Sequence, residues 1–119
     1  MKHILVVDDD PAMLALLTRV LSAMHYRVTT AASGPAALTA ITSDPIDLLV
    51  TDYRMPDMNG RELIIALQAE RPRLKTLVVT GCPPSDGEDR SWWAGQPSLA
   101  KPFPPKSLQS AVVALIGPP

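Results

Sequence analysis

Six polar side chains stand at or just beyond the ends of short apolar runs. Asp8-Asp9-Asp10 follows His3–Val7 (HILVV), Asp52 follows Asp47–Thr51 (DLLVT), Thr80 ends Lys75–Thr80 (KTLVVT), and Lys101 follows Ser98–Ala100. If these runs are neighbouring strands of one sheet, four acids, a hydroxyl and an ammonium group meet along one edge. Asp10 has a structural explanation, as the N-cap of a helix opened by Pro11. Asp8 and Asp9 gain nothing from capping, and Asp52 ends a run of buried type. Carboxylates held side by side repel, so the grouping either raises their pKa values or demands a cation. Oxygen ligands, with no Cys/His cluster, favour magnesium over zinc. Taken singly, Lys101 reads as a surface lysine and Thr80 as a β-branched strand end. Together with the acids they are the parts for accepting a phosphoryl group. A carboxylate attacks, metal and lysine absorb charge on the equatorial oxygens, and the hydroxyl donates a hydrogen bond.

Positioning these groups requires the strands to lie side by side, and the pattern between them supplies the means. Pro11–Met24 has a helical period with Leu14, Leu17, Leu21 and Met24 near one face. Arg27–Ala31 reads as a weaker strand, followed by a short helix from about Pro35 to Thr42. Arg61–Glu70 is a helix burying Leu63, Ile64 and Leu67, and Pro105–Ile116 a helix burying Leu108, Val112 and Leu115. The thirteen prolines can all sit at element boundaries, where a missing N–H does least harm. Gly81–Pro97, which holds the acidic cluster Asp86, Glu88 and Asp89, supports only a short or irregular fourth helix of one or two turns, over Asp86–Ala94. Strands alternating with helices, and strands apolar on both faces, predict an α/β fold with a doubly wound parallel sheet. Ligands of such sheets sit beyond the carboxyl ends of the strands, where the polar groups fall.

The 119 residues suit one domain, and a net charge of −1 gives no electrostatic footprint for nucleic acid or anionic lipid. The single cysteine, Cys82, cannot close a disulfide within the chain. No apolar run approaches a membrane span, and the N-terminus turns acidic too early for a signal peptide. A cytoplasmic location is expected.

Four blocks, ILVVDDDPAML, DLLVTDYRMPDMNG, LVVTG and LAKPF, stand in an order and spacing that resemble the signature blocks of bacterial response-regulator receiver domains. The resemblance covers essentially the whole chain, 1–119, and includes the single-domain chemotaxis regulators. It implies a flavodoxin-like (βα)5 domain with strand order 2-1-3-4-5. It also implies transfer of a phosphoryl group to one aspartate from a sensor histidine kinase or a phosphotransfer protein. By position, Asp52 resembles the phosphoacceptor, Asp9 the direct magnesium ligand, and Asp8 the acid that holds the metal through water. Arg54 would supply a backbone carbonyl to the metal, Thr80 the switch hydroxyl, and Lys101 the lysine that pairs with the phosphoryl group. Lys101-Pro102 would be a cis peptide, while Pro56, Asn59 and Gly60 read as ordinary turn residues shaping the loop after Asp52.

Two departures stand out. The family's aromatic switch position holds Ser98, and the fourth-helix segment is rich in proline and glycine. The active-site half of the pattern is intact and the output half is not, so the usual coupling of threonine to an aromatic ring is expected to be absent or replaced. Receivers use the face formed by the fourth helix, fifth strand and fifth helix for partners. Trp92 and Trp93 fall there, either as anchors for an unknown downstream protein or as filling for the space left by Ser98 and the short helix. Cys82, two residues past Thr80, lies at the site rim and reads as a bystander. His3 and His25 make no ligand pair, and Arg71, Arg73 and Lys75 form a basic patch at a solvated helix end.

Two other functions compete with a phosphoacceptor switch. One is a receiver-like interaction module with vestigial or uncoupled phosphorylation, motivated by Ser98. The other is a phosphatase with an aspartate nucleophile of the haloacid-dehalogenase type, suggested by Asp-x-Asp after a strand and opposed by Pro11 and the absence of a cap domain. No output domain is expected within these residues. The chain reads as a single-domain regulator or a piece of a longer regulator or hybrid kinase, monomeric or weakly dimeric.

Overall fold

The computed structural model describes residues 1–41, 44–84 and 87–119. Strands and helices alternate along the chain as β1 (His3–Val7), α1 (Pro11–Ala23), β2 (Arg27–Ala31), α2 (Gly34–Ala40), β3 (Leu48–Thr51), α3 (Gly60–Glu70), β4 (Lys75–Thr80), α4 (Gly87–Ala94), β5 (Ser98–Ala100) and α5 (Pro105–Ile116). The strands form one parallel sheet in the order β2-β1-β3-β4-β5. This is the doubly wound, flavodoxin-like topology expected, with a fourth helix of eight residues.

The unbroken apolar character of the central strands follows from a sheet covered on both faces. Successive residues point to opposite sides. Ile4, Val6, Leu48, Val50, Leu77 and Val79 meet Leu17, Val20 and Leu21 of α1 and Leu108 and Val112 of α5. Leu5, Val7, Leu49 and Val78 meet Ala37 of α2 and Leu63, Ile64 and Leu67 of α3, with Trp92 and Trp93 of α4 packed on that side. The indoles thus serve the second layer of the core, while each retains some exposure. Tyr26 closes the first layer, its hydroxyl donating to the Gly117 carbonyl at 2.5 Å.

Several boundaries differ from the sequence pattern by one residue, each for a local reason. α1 stops at Ala23 rather than Met24, because the amides of Met24 and His25 turn back to Leu21 and Ser22, with His25 left-handed at φ 73°. α2 starts at Gly34, capped by Ser33, and the expected end at Thr42 lies outside the described residues. β3 starts at Leu48, since Asp47 instead accepts the His3 amide on its carboxylate at 2.8 Å. α3 starts at Gly60 because Asn59 and Glu62 form a reciprocal capping box. The expected start of α4 at Asp86 also falls outside the described residues.

At the amino ends of the strands, Arg71, Arg73 and Lys75 line a hollow of about 630 Å³ together with Lys2, Leu115 and Ile116. His3 is buried, its ring nitrogens bonded to Pro45 O at 3.1 Å and Thr29 Oγ1 at 2.6 Å. Both are structural contacts. Among the described residues no helix is long and apolar enough to cross a membrane.

Burial decides how single substitutions act. Leu49→Ala in β3, fully buried, is expected to cost roughly 2–5 kcal/mol in a urea titration. Ile65→Ser on α3, where Ile65 is 53% exposed, is expected to stay within about 0.5 kcal/mol of the parent.

Candidate functional site

The site lies where β1 and β3 end side by side. The parallel register pairs Val7 with Thr51, so the residues that follow, Asp8 and Asp52, leave the sheet together. Their amides stay tied to neighbouring strands, Asp8 N to Ala31 O at 3.2 Å and Asp52 N to Val7 O at 3.0 Å. Both side chains are held with little exposure at the top of an apolar sheet, Asp8 at 1% and Asp52 at 9%. Asp9 stands beside them, exposed. One oxygen from each of Asp8, Asp9 and Asp52 lies within 4.8 Å of the others.

β4 and β5 bring the cation. The amide of Lys101 donates to the Thr80 carbonyl at 3.1 Å, and the next peptide, Lys101-Pro102, is cis. The lysine reaches back across the sheet end, and its Nζ donates to Asp8 Oδ2 at 2.8 Å and to Asp52 Oδ2 at 3.1 Å. Asp8 Oδ1 accepts the Asp10 amide at 2.9 Å, and the Arg54 amide faces Asp52 Oδ1 at 3.4 Å. Thr80 is buried at the end of β4, with its Oγ1 accepting the Cys82 amide at 3.2 Å.

The electrostatics leave a deficit of positive charge. Burial pushes the Asp8 carboxyl above its ordinary value even though Lys101 and the Asp10 amide hydrogen-bond to it. Burial also works against the Lys101 ammonium, but Asp8 and Asp52 hold its pKa above that of a free lysine. One ammonium faces three carboxylates. A hard divalent cation fits this donor set, because all three side chains offer only oxygen and their charge is under-compensated.

Gly60 lets the β3–α3 loop close beneath the site. Its amide donates to Tyr53 O at 2.7 Å, and a Cβ there would meet the Asp52 carbonyl at 2.5 Å and Tyr53 Cα at 3.0 Å. Asp10 is confirmed as the α1 cap, accepting the Ala12 amide at 3.0 Å. That leaves it committed to the helix rather than acting as a second aspartate of an Asp-x-Asp pair.

The structure therefore gathers Asp8, Asp9, Asp52 and Lys101, with Thr80 at the neighbouring strand end. Ser98 is exposed at the start of β5, where the register sets it beside Val78; Ala100 is the residue beside Thr80. The Arg54 side chain turns away from the acids, its Nε donating to Cys82 O at 2.9 Å and its guanidinium lying 5.6 Å from the Tyr53 ring centre. Sequence reasoning missed a second cluster behind Asp52. The Tyr53 hydroxyl donates to Asp89 Oδ2, and Arg61 Nη1 donates to Asp89 Oδ1 at 2.5 Å. Burial and the adjoining carboxylate push the Tyr53 phenol up to about 12, while the Tyr53 and Arg61 hydrogen bonds hold Asp89 below its ordinary value.

Comparison with known proteins agrees with this fold. The family model for the response regulator receiver domain matches residues 4–113. The probable transcriptional regulatory protein TcrX of Mycobacterium tuberculosis is 30% identical over 113 residues, covering 94% of this chain and 47% of TcrX. Among solved structures, the chemotaxis protein CheY4 of Vibrio cholerae superposes with a TM-score of 0.84 at 27% identity, covering 97% of this chain and 98% of that one. The response regulator TrrA of Thermotoga maritima, solved in complex with Mg2+ and BeF, gives a TM-score of 0.81 at 31% identity, covering 97% of this chain and 99% of that one. The chain spans only 18% to 58% of the length of curated relatives it matches.

The acidic cluster predicts a cation response. Magnesium at about a hundredfold excess over its Kd is expected to stabilise the fold by roughly 2.7 kcal/mol, read as a rise in Tm, and Asp8→Asn or Asp9→Asn is expected to remove most of that rise. Gly60→Ala is expected to destabilise by about 1–3 kcal/mol in urea despite alanine's better helix propensity, because the added carbon meets backbone rather than a yielding side chain.

Proposed function

The chain belongs to the response regulator receiver domain family, and from that premise we propose that it accepts a phosphoryl group on Asp52 from a phosphohistidine donor. One observation carries this reading. Lys101 bridges Asp8 and Asp52 at 2.8 and 3.1 Å, in a cluster of acids whose charge it only partly offsets. The donor would be a sensor histidine kinase or a phosphotransfer protein in the cytoplasm.

In the transfer, a carboxylate oxygen of Asp52 attacks phosphorus and forms the O–P bond. The P–N bond to the donor imidazole breaks, and its electron pair returns to the ring nitrogen. Lys101, already beside Asp52, stays paired with the charge that arrives on the phosphoryl oxygens. Thr80 Oγ1 carries a proton it can donate to one of those oxygens. Asp8, Asp9, Asp52 and the Arg54 carbonyl would hold Mg2+, which when bound neutralises charge on the transferring group. The modified protein acts through altered contacts with a downstream protein, by as much as that partner's affinities for the two states differ. Neither direct nucleic-acid binding nor catalytic turnover of an external substrate is part of this reading.

A second reading, an interaction module uncoupled from phosphorylation, is favoured by exposed Ser98 at the expected switch position. Mass spectrometry after treatment with magnesium and acetyl phosphate separates the possibilities at the first step. The expected outcome is a gain of one phosphoryl group in the parent and none in Asp52→Asn; an unchanged parent mass contradicts the proposal.

A further inference from the structure

Asp52 and Tyr53 are consecutive, yet their side chains serve opposite surroundings. The Asp52 carboxylate stands at the sheet end with Lys101, while the Tyr53 ring enters the second core layer beneath α4. There it lies 6.3 Å from the Trp92 ring and 6.4 Å from the Trp93 ring, with interplanar angles of 33° and 70°. Its hydroxyl donates to Asp89 on the same helix, and that carboxylate also accepts from Arg61 of α3. Tilted and edge-on ring contacts together with hydrogen bonding thus pin α4 to the residue next to Asp52.

A second route reaches the same ring from β4. Thr80 Oγ1 accepts the Cys82 amide at 3.2 Å, the Cys82 carbonyl accepts Arg54 Nε at 2.9 Å, and the Arg54 guanidinium covers the Tyr53 ring at 5.6 Å. Ser98 carries no ring that could follow a movement of Thr80. Phe103, five residues after Ser98, packs in the opposite layer with α1 and α5. The aromatic groups within reach of the site on the α4 side are therefore Tyr53, Trp92 and Trp93.

We propose that Tyr53 is the coupling residue of this receiver, clamping α4 through Asp89 and the two indoles and passing the state of Asp52 to the α4 surface. This rests on the reading of Asp52 as phosphoacceptor. When Thr80 Oγ1 turns to a phosphoryl oxygen, the Cys82 amide loses its acceptor and the Cys82 carbonyl no longer anchors Arg54. The ring then loses its cover on the site side, and the Tyr53–Asp89 contact resets the seating of α4. Tyr53 is a positioning residue in this scheme, since it touches neither metal nor phosphoryl group.

The protein supplies its own reporter, because Trp92 and Trp93 are its only tryptophans and both sit on α4 against Tyr53. The test combines intact mass with indole emission before and after magnesium and acetyl phosphate, on the parent, Tyr53→Phe and Asp89→Asn. The parent is expected to gain one phosphoryl group and change its emission. Both variants are expected to gain the same mass, with resting emission already displaced and most of the phosphorylation-dependent change lost. Variants that gain the mass and keep the parental emission change would overturn the clamp while leaving Asp52 as acceptor intact. A parent that gains the mass with no emission change would overturn it equally, and a parent that gains no mass removes the phosphoacceptor reading and the clamp with it. If Tyr53→Phe fails to fold, Asp89→Asn decides the matter, since Asp89 lies outside the core clusters.

Discussion

The arrangement depends on like charges held together against their repulsion. Asp8 and Asp52 leave adjacent parallel strands at the same level, and the sheet allows them no retreat into water. Water would spread the charge; an apolar layer on either side cannot. Lys101 answers part of the demand by reaching across from β5, and burial still lifts the Asp8 carboxyl above its ordinary value. Three carboxylates against one ammonium leave a balance that a bound divalent cation would complete. The chemistry of the site and the stability of the fold are thus opposed at this one point.

The rest of the molecule can be understood as what holds that point rigid. Both sheet faces are sealed, by α1 and α5 on one side and by α2, α3 and α4 on the other. Gly60 admits the loop under Asp52 at a separation no side chain allows. The Asn59–Glu62 box fixes where α3 begins, and so how long that loop is. Rigidity here is positional: it keeps three carboxylates and one ammonium within reach of a common ligand.

Much of this was legible in the residues. The apolar runs Ile4–Val7, Leu48–Val50 and Leu77–Val79 announced strands covered on both faces, and the polar residues just beyond them are those that the fold gathers at one edge. Caps were readable too, since Asp10 before Pro11 had only one economical explanation. What was not legible were contacts between distant residues with no periodic signature. Tyr53 and Asp89 are 36 positions apart and Arg61 and Asp89 28 apart, so nothing in the pattern couples them. The two tryptophans could be read either as partner anchors or as filling beside a short helix; they sit on α4 and pack against the second core layer, in ring contact with Tyr53 that no sequence pattern announces. The starts of β3 and α3 shifted by one residue where the Asp47 and Asn59 side chains bond backbone amides.

Fluorine NMR of the protein with beryllium fluoride, a mimic of the phosphoryl group, addresses the central claim most directly. The charge-balance account predicts a bound fluoroberyllate signal that requires both magnesium and an intact Asp52, and that vanishes in Asp52→Asn. A bound signal of equal intensity without magnesium, or no bound signal under any condition, would contradict it.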